Sequence, residues 1–435
     1  MPKPAIAPEL DYRLPMVDPS FSSGAPQRRR VSYSTTAPST FTLTASGNSG
    51  GNKAFQFRIP CAQRGQYYDM RNLCLKGSFS HVGATGASGL SGVWVPTSGI
   101  GAGLIRRVSV QHSKQTLYDA SFYNQTFNAL TTLMSSDAYN QNGVLDQVGQ
   151  SIGCLNLNPV IPQTGGFTHP LIIPFSCCDK MIPQSIMDGS LAITLYTVNS
   201  LQEIGACNTT GGANTGCSVT FSNLELQFDV VEVGDPFYSD FIRDFEAAGS
   251  LKLKCMGLDT NAQILNAGSQ SLEVSLLGNR VNQLLFWQSL NPTNNEHYQN
   301  KSRNGLTQYN LRIGDDQMYP RPQFISATAA ADTISSVAES IHSIGDSQRG
   351  YRLTVAQTLN DGTTAANYGQ GPLYCVNLMS LSRNSSAVSL GCEINDPLKF
   401  DLINTASAES TFYATFVKEI HYDFTVGGRV VVAAS

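Results

Sequence analysis

Apolar and polar residues alternate with a period of two in many parts of the chain, and this feature limits the possible folds more than any other. The clearest run lies near the C-terminus, where Phe412, Phe416 and Tyr422 belong to an apolar set that only Lys418 interrupts. Successive side chains of a strand point to opposite faces, so the alternation predicts a strand with one face in a core and the other in solvent. The predicted polar face of this run carries Thr415, Glu419, His421 and Asp423.

A strand, a turn and a helix follow one another twice. In the N-terminal half, a predicted strand at residues 104–110 is followed by residues 123–134, whose apolar side chains recur at helical spacing. In the C-terminal half, residues 308–313 alternate, a turn at Gly314 follows, and residues 330–344 again carry an apolar helical stripe. The residue identities barely repeat, but the repeated pattern predicts two domains of one type.

These patterns predict an all-β fold of two consecutive eight-stranded jelly-roll β-sandwiches, each with a short internal helix. A length of 435 residues suits two such domains. We place the first jelly roll at residues 47–234, a linker helix at 235–249 and the second jelly roll at 250–435. Residues 1–46 are rich in proline and serine and lack apolar periodicity, so we expect a flexible N-terminal arm without its own core.

The charge composition bears on the kind of surface that the chain presents. Charged residues make up 14% of the chain, against about 25% in typical soluble proteins. A largely neutral and polar surface favours a protein that contacts many copies of itself. The net charge of −4 and the pI near 5.9 argue against a protein that binds nucleic acid over its whole surface.

One local exception is the basic triplet Arg28, Arg29 and Arg30 in the proline-rich arm. Such a triplet can neutralise nucleic-acid phosphate or anionic lipid headgroups. Alternatively, it keeps the arm soluble or pairs with acidic residues of a neighbouring subunit. The sequence leaves both interpretations open.

Residues that could carry catalysis or bind a metal are scattered. The histidines form no H-x-H or H-x-x-x-H pair, which argues against a cluster of the kind that a double-domain cupin needs. His421 alternates with Glu419 and Asp423, which could imitate a metal site, but the outward face of a strand gives the same pattern. We therefore predict no enzyme, no catalytic residue, no cofactor and no metal. The six histidines are His81, His112, His169, His297, His342 and His421.

Two further motifs favour structural roles. Asp315 and Asp316 could be the paired carboxylates of a glycosidase, but neighbouring side chains point apart and a turn is the better interpretation. Gly99, Gly101 and Gly103 precede a strand pattern and not a helix, so they do not predict a phosphate-binding loop.

The ten cysteines and the hydropathy pattern bear on the compartment. The cysteines are scattered and lack C-x-x-C repeats, so we expect free thiols in a reducing environment and not structural disulfides. The N-terminus lacks the apolar segment of a secretory signal, and no run approaches the ~18 apolar residues that span a bilayer. We therefore expect a soluble protein of the cytosol or nucleus.

The order of these elements resembles a known family. Phe55-Gln56-Phe57-Arg58-Ile59-Pro60, residues 67–75 and 103–108 and the helix that follows are similar to the first jelly roll of double jelly-roll major capsid proteins. Leu311-Arg312-Ile313-Gly314, Tyr319-Pro320, the Ala-rich helix and residues 412–432 resemble the second jelly roll of the same family. That family is related to adenovirus hexon and to the capsid proteins of large DNA viruses and virophages. The resemblance covers about residues 50–435 and lies in the order and spacing of elements.

The resemblance implies a major capsid protein that forms a homotrimer with a pseudo-hexagonal outline. Such capsomers tile an icosahedral shell around double-stranded DNA, often with an internal membrane, so the implied location is the virion capsid after assembly inside the host cell. The implied partners are other copies of the chain, minor capsid or penton proteins, and the membrane or packaged DNA.

Within such a shell we expect the loops at residues 81–103 and 205–216 on the outer surface. We expect the arm on the inner face, with Arg28, Arg29 and Arg30 as its contacts. Deleting the first ~30 residues should then prevent particle formation and leave the domains folded. The alternative function is a two-domain β-sandwich that binds glycans or acts on glycosides.

Overall fold

The structure is a computed structural model in which antiparallel strands dominate. The second predicted helix, at residues 330–344, lies outside the residues that it describes. The described residues are 27–36, 40–44, 47–48, 54–82, 93–96, 100–134, 164–178, 180–201, 205–208, 218–233, 235–274, 279–290, 305–325, 373–378, 392–405 and 410–433.

The first half of the chain forms two main antiparallel sheets and a separate two-stranded ribbon. Its strands are β1 (Gln27–Ser34), β2 (Phe41–Thr44), β3 (Gly47–Asn48), β4 (Ala54–Ile59), β5 (Gln66–Val82), β6 (Val93–Pro96), β7 (Ile105–His112), β8 (Gln115–Ser121), β9 (Thr164–Pro170), β10 (Leu191–Thr197), β11 (Gly205–Asn208) and β12 (Ser218–Glu232). One sheet has the order β3-β2-β12-β5-β9, with β1 also paired to β12, and the other has the order β4-β10-β7-β8. The ribbon pairs β11 with β6.

The second half repeats this arrangement. Its strands are β13 (Ser250–Leu265), β14 (Gly268–Val274), β15 (Asn279–Leu290), β16 (Leu306–Ile313), β17 (Asp316–Gln317), β18 (Gln323–Phe324), β19 (Leu373–Asn377), β20 (Cys392–Ile394), β21 (Leu398–Asn404), β22 (Ser410–Thr425) and β23 (Val430–Ala433). One sheet has the order β13-β22-β15-β19, with β20 on β15 and β23 on β22. The other has the order β14-β21-β16-β17, with β18 on β16.

The two halves share one strand order. Eight principal strands of each half are numbered 1 to 8 along the chain: β2, β4, β5, β7, β8, β9, β10 and β12 in the first half, and β13, β14, β15, β16, β17, β19, β21 and β22 in the second. With this numbering, the sheets of both halves run 1-8-3-6 and 2-7-4-5. This connectivity, in which each sheet takes strands from both ends of the sequence, is that of an eight-stranded jelly roll. The predicted fold, two consecutive jelly rolls, is confirmed. We call them the first unit and the second unit.

Three α-helices lie among the described residues: α1 (Ile100–Leu104), α2 (Tyr123–Met134) and α3 (Asp235–Ala248), together with 3₁₀ turns at Pro174–Cys177 and Gln184–Ile186. The sequence predicted α2 and α3 but not α1. Helix α3 connects the two units and ends at Gly249, whose positive φ of 77° suits the residue after a helix. Its Phe241 packs edge-on against Tyr67 of the first unit, with ring centroids 5.7 Å apart.

The structure differs from the predicted flexible arm over residues 27–36 and 40–44. Strand β1 pairs with β12 along its whole length, and β2 pairs with the other end of the same strand. Tyr33 stacks on Phe228 with centroids 5.5 Å apart, and Phe41 is buried in the core. The expectation of an arm without a core is therefore wrong for these residues. The partner strand lies far away in the sequence, so local periodicity gave no sign of it.

Side chains of the second unit take part in the core of the first. Phe412 and Phe416 of β22 belong to the core of the second unit, whereas Tyr422 and Phe424 of the same strand pack into the core of the first. Leu253 of β13 joins them there. One alternating strand therefore serves two cores.

The face of β22 that the sequence predicts to be polar and solvated is partly buried. Thr415 is 1% exposed and Glu419 is 2% exposed. Thr415 faces the first unit, while Glu419 forms an ion pair of 2.9 Å with Lys254 on the neighbouring strand β13. The prediction of a solvated face is wrong at these two residues, because the other unit and a paired strand cover what an isolated sheet would expose.

Candidate interaction surfaces

The junction between the two units is built from buried hydroxyl groups. The Tyr118 hydroxyl of β8 donates to the Leu258 carbonyl oxygen at 2.8 Å and accepts from the Leu258 amide at 3.2 Å. The Tyr422 hydroxyl donates to the Leu117 carbonyl oxygen at 3.3 Å. Burial raises the pKa of both phenols well above its usual range, so they remain neutral donors.

Threonines and aromatic rings extend the same junction. The hydroxyl of Thr126 on α2 lies 2.6 Å from that of Thr260, which lies 2.9 Å from that of Thr415. Phe122 meets Tyr413 edge-on, with centroids 5.7 Å apart. Because these polar groups are buried and hydrogen-bonded, the two units form one block and not two tethered domains.

A cluster of arginines and aspartates, the basic cluster, fastens β1 to its sheet. Arg28 contacts both Asp69 and Asp229, with nitrogen–oxygen distances of 2.9 Å and 2.7 Å. Arg30 donates to Asp229 at 2.9 Å, and Arg71 donates to Asp69 at 2.8 Å. Both carboxylates are buried, whereas the side chains of Arg28 and Arg30 are 50% and 53% exposed. Three guanidinium groups therefore surround two carboxylates and leave one positive charge in excess.

The electrostatics of Asp229 follow from this geometry. Burial alone would raise the pKa of its carboxyl, but hydrogen bonds from Arg30, Asn72 and Arg28 outweigh that effect and hold the pKa below its ordinary value of 3.8. The Arg30 guanidinium, which donates to the same carboxylate, has a raised pKa. Asp229 is therefore ionised at neutral pH and holds two arginines of β1.

The sequence singled out Arg28, Arg29 and Arg30 but missed the acids that hold them. The structure brings Arg28 and Arg30 to Asp229 of their own chain, while Arg29 lies at the next register position of β1, opposite Val230. Asp229 stands between Phe228 and Val230 in a strand whose neighbours are buried, and this position is the signal that could have revealed it.

The other residues considered for chemistry have structural roles in the described part of the chain. Asp315 and Asp316 belong to the hairpin between β16 and β17, in which Ile313 pairs with Asp316 and Gly314 has a φ of 61°. The turn interpretation is confirmed. Among the described residues, no group of three His, Cys, Asp or Glu side chains could hold a metal ion. Cys61, Cys74 and Cys177 are free thiols.

The two loops predicted to lie on the outer surface come together at one place. Strand β6 lies within residues 81–103 and β11 within residues 205–216, and they pair with Trp94 opposite Cys207. No helix among the described residues is long and apolar enough to cross a membrane.

The chain shares its fold, two jelly rolls with one strand order, with solved structures of viral capsid proteins. The particular structures that share it include the PBCV-1 virus capsid, at a TM-score of 0.59 and 10% identity over 94% of this chain and 97% of that chain. A Sputnik virophage structure matches at 0.58 and 11% identity over 94% and 88%. The Faustovirus major capsid protein matches at 0.57 and 10% identity over 91% and 90%. No family model and no curated protein matches the sequence.

Proposed function

We propose that this chain is the major capsid protein of an icosahedral virus and is located in the virion capsid. One observation carries the proposal: two jelly rolls with the same strand order are joined by a buried junction into one block. The likeness to the PBCV-1 capsid structure over 94% of this chain and 97% of that chain supports it. The function is assembly and not turnover.

The proposed capsomer is a homotrimer. Each chain supplies two units of the same topology, so three chains place six jelly rolls in a ring with a pseudo-hexagonal outline. Capsomers of this shape tile a closed shell. Neutral polar contacts between them are individually weak, but a shell repeats them many times, so the assembly is cooperative.

The proposed partners are other copies of the chain and minor capsid or penton proteins at the edges and vertices of the shell. A further proposed partner is an internal membrane or packaged DNA. The N-terminal arm, including the residues that precede Arg28, would make this contact. The pairing of Arg28 and Arg30 with Asp229 weakens the view that these two arginines alone supply that contact.

We place the β6–β11 ribbon and the loops that carry it on the outer surface of the shell. Limited proteolysis of intact particles tests this placement. Cleavage within residues 81–103 or 205–216 of assembled shells is the expected result, and complete protection of both loops would refute it.

Size-exclusion chromatography with light scattering tests the proposed function. A stable species of three times the chain mass of 46.8 kDa is expected, and electron microscopy should show particles with a hexagonal outline. Circular dichroism of the same sample establishes that the chain is folded. A folded monomer at all concentrations would contradict the proposal.

The alternative, a glycan-binding protein or glycoside-active enzyme, has no observation in its favour. Asp315 and Asp316, the one pair of carboxylates considered for a glycosidase, form a hairpin.

A further inference from the structure

The contact between the two units within one chain is asymmetric, and this asymmetry predicts a second contact. Strands 1 and 8 of the second unit, β13 and β22, lie against strand 5 and helix α2 of the first. Units of the same topology can repeat such a head-to-tail contact, since a heterologous contact leaves one complementary surface free on each side. The first unit has its own strands 1 and 8, and the second unit has its own strand 5.

The outward face of strands 1 and 8 carries the same cross-strand pair in both units. In the second unit, Thr260 and Thr415 stand opposite each other, hydrogen-bond at 2.9 Å and are buried by Thr126 of the first unit. In the first unit, Thr42 and Thr220 stand opposite each other with their hydroxyls 2.8 Å apart. This pair is only half-buried. We call the surface around it, formed by β1, β2 and β12, the threonine face.

The groups at the ends of the strands indicate how the threonine face would be oriented on its partner. In the chain, the C-terminal end of β22 lies beside the hairpin between strands 4 and 5 of the first unit: Asp188 donates its amide to the Gly428 carbonyl oxygen at 2.8 Å and accepts from the Ser113 hydroxyl at 2.9 Å. The corresponding end of the threonine face is the basic cluster at Arg28 and Arg30. The corresponding hairpin of the second unit is the exposed turn at Asp315 and Asp316.

The charges of these two ends are complementary. The basic cluster has one positive charge in excess, and its arginines are half-exposed. The hairpin of the second unit presents two exposed carboxylates. A basic surface and an acidic surface that meet in a repeated contact fix its register and orientation.

We propose that the threonine face of one copy docks on the strand-5 side of the second unit of the next copy, with Arg28 and Arg30 facing Asp315 and Asp316. The contact within the chain and the contact between chains then alternate around the capsomer. This inference rests on the proposed homotrimer and names the residues that close it.

Cysteine cross-linking tests the contact directly. Ser32→Cys and Asp315→Cys are made in separate chains, because Ser32 is exposed on the same face of β1 as Arg28 and Arg30, which themselves hold β1 in place. The two variants are mixed, refolded and treated with a short bismaleimide. A covalent dimer of the two variants is expected, with at least ~10-fold more product than either variant alone gives through its own exposed Cys61 and Cys177.

The outcomes separate this inference from the proposed function. A trimer without the cross-link would overturn the proposed contact and leave the capsid function standing. A folded monomer would overturn both.

A charge reversal supplies a second measurement. Asp316→Lys places a like charge against the basic cluster of the next copy, so the trimer should dissociate at a concentration at least ~10-fold higher. Glu273→Lys is the matched control, because Glu273 is an exposed acid on β14, at the opposite edge of the same sheet. Equal effects of the two substitutions would contradict the proposed contact.

Discussion

Asp69 and Asp229 are acids buried in a sheet, and their burial decides where the N-terminal segment goes. A buried carboxylate without a partner is strongly unfavourable. Arg28 and Arg30 of β1 satisfy Asp229, and Arg28 and Arg71 satisfy Asp69. The basic cluster therefore fixes the register of β1 in addition to the backbone ladder.

We expect Asp229→Asn to lower the free energy of unfolding by about 1–3 kcal/mol. The substitution keeps the shape of the side chain but removes the charge that Arg28 and Arg30 neutralise. Urea denaturation at pH 7, followed by circular dichroism, measures the change.

Asp119→Asn is the control for Asp229→Asn, because Asp119 forms a cross-strand pair with Arg107 on a partly exposed face. Its effect should stay below about 1 kcal/mol. The pKa of Asp229 is lowered on folding, so its stabilisation is present above about pH 4 and is lost as the pH falls through the folded-state pKa. The difference between wild type and Asp229→Asn should therefore shrink in acid. A difference that is the same at pH 7 and pH 2 would rule out the ionic explanation.

Strand β22 is long enough to supply side chains to the cores of both units. It pairs with β13 over sixteen residues without a bulge and sends alternate side chains into two cores. A hairpin then returns the chain into β23. Two successive glycines, Gly427 and Gly428, make this turn with φ of 110° and 80°.

The two glycines of this hairpin should differ in their tolerance of a side chain. A Cβ on Gly428 would lie 2.4 Å from the Cβ and 2.5 Å from the backbone nitrogen of Asp188, whereas a Cβ on Gly427 would meet nothing within 4 Å. Alanine at either position incurs the left-handed backbone penalty of about 1–2 kcal/mol. Only Gly428→Ala adds an overlap, worth a further ~1–3 kcal/mol.

Thermal denaturation of the two alanine variants measures this difference. Gly428→Ala should melt clearly below Gly427→Ala, because the hairpin touches the loop of the first unit through Asp188. Equal melting temperatures would mean that the loop moves away freely and that the hairpin does not bind the units together.

At the scale of the whole molecule, the two jelly rolls should unfold together. Leu253, Tyr422 and Phe424 of the second unit lie in the core of the first, and the Tyr118 hydroxyl bonds to Leu258 across the junction. Neither unit can unfold without exposing part of the other's core.

Scanning calorimetry of the intact capsomer tests this coupling. One transition is expected, and residues 1–248 or 249–435 expressed alone should aggregate. Two separate transitions that match two soluble halves would show that the units are independent.

Local periodicity was enough to predict most of the long strands, the repetition of one fold and the helices α2 and α3, because the folded chain preserves these local patterns. Contacts that form only in the folded chain pair β1 and β2 with the first sheet, bring Arg28 and Arg30 to Asp229, and bury Thr415 and Glu419. The reason is distance along the chain: Arg30 and Asp229 are 199 residues apart, and no local pattern records a partner so remote.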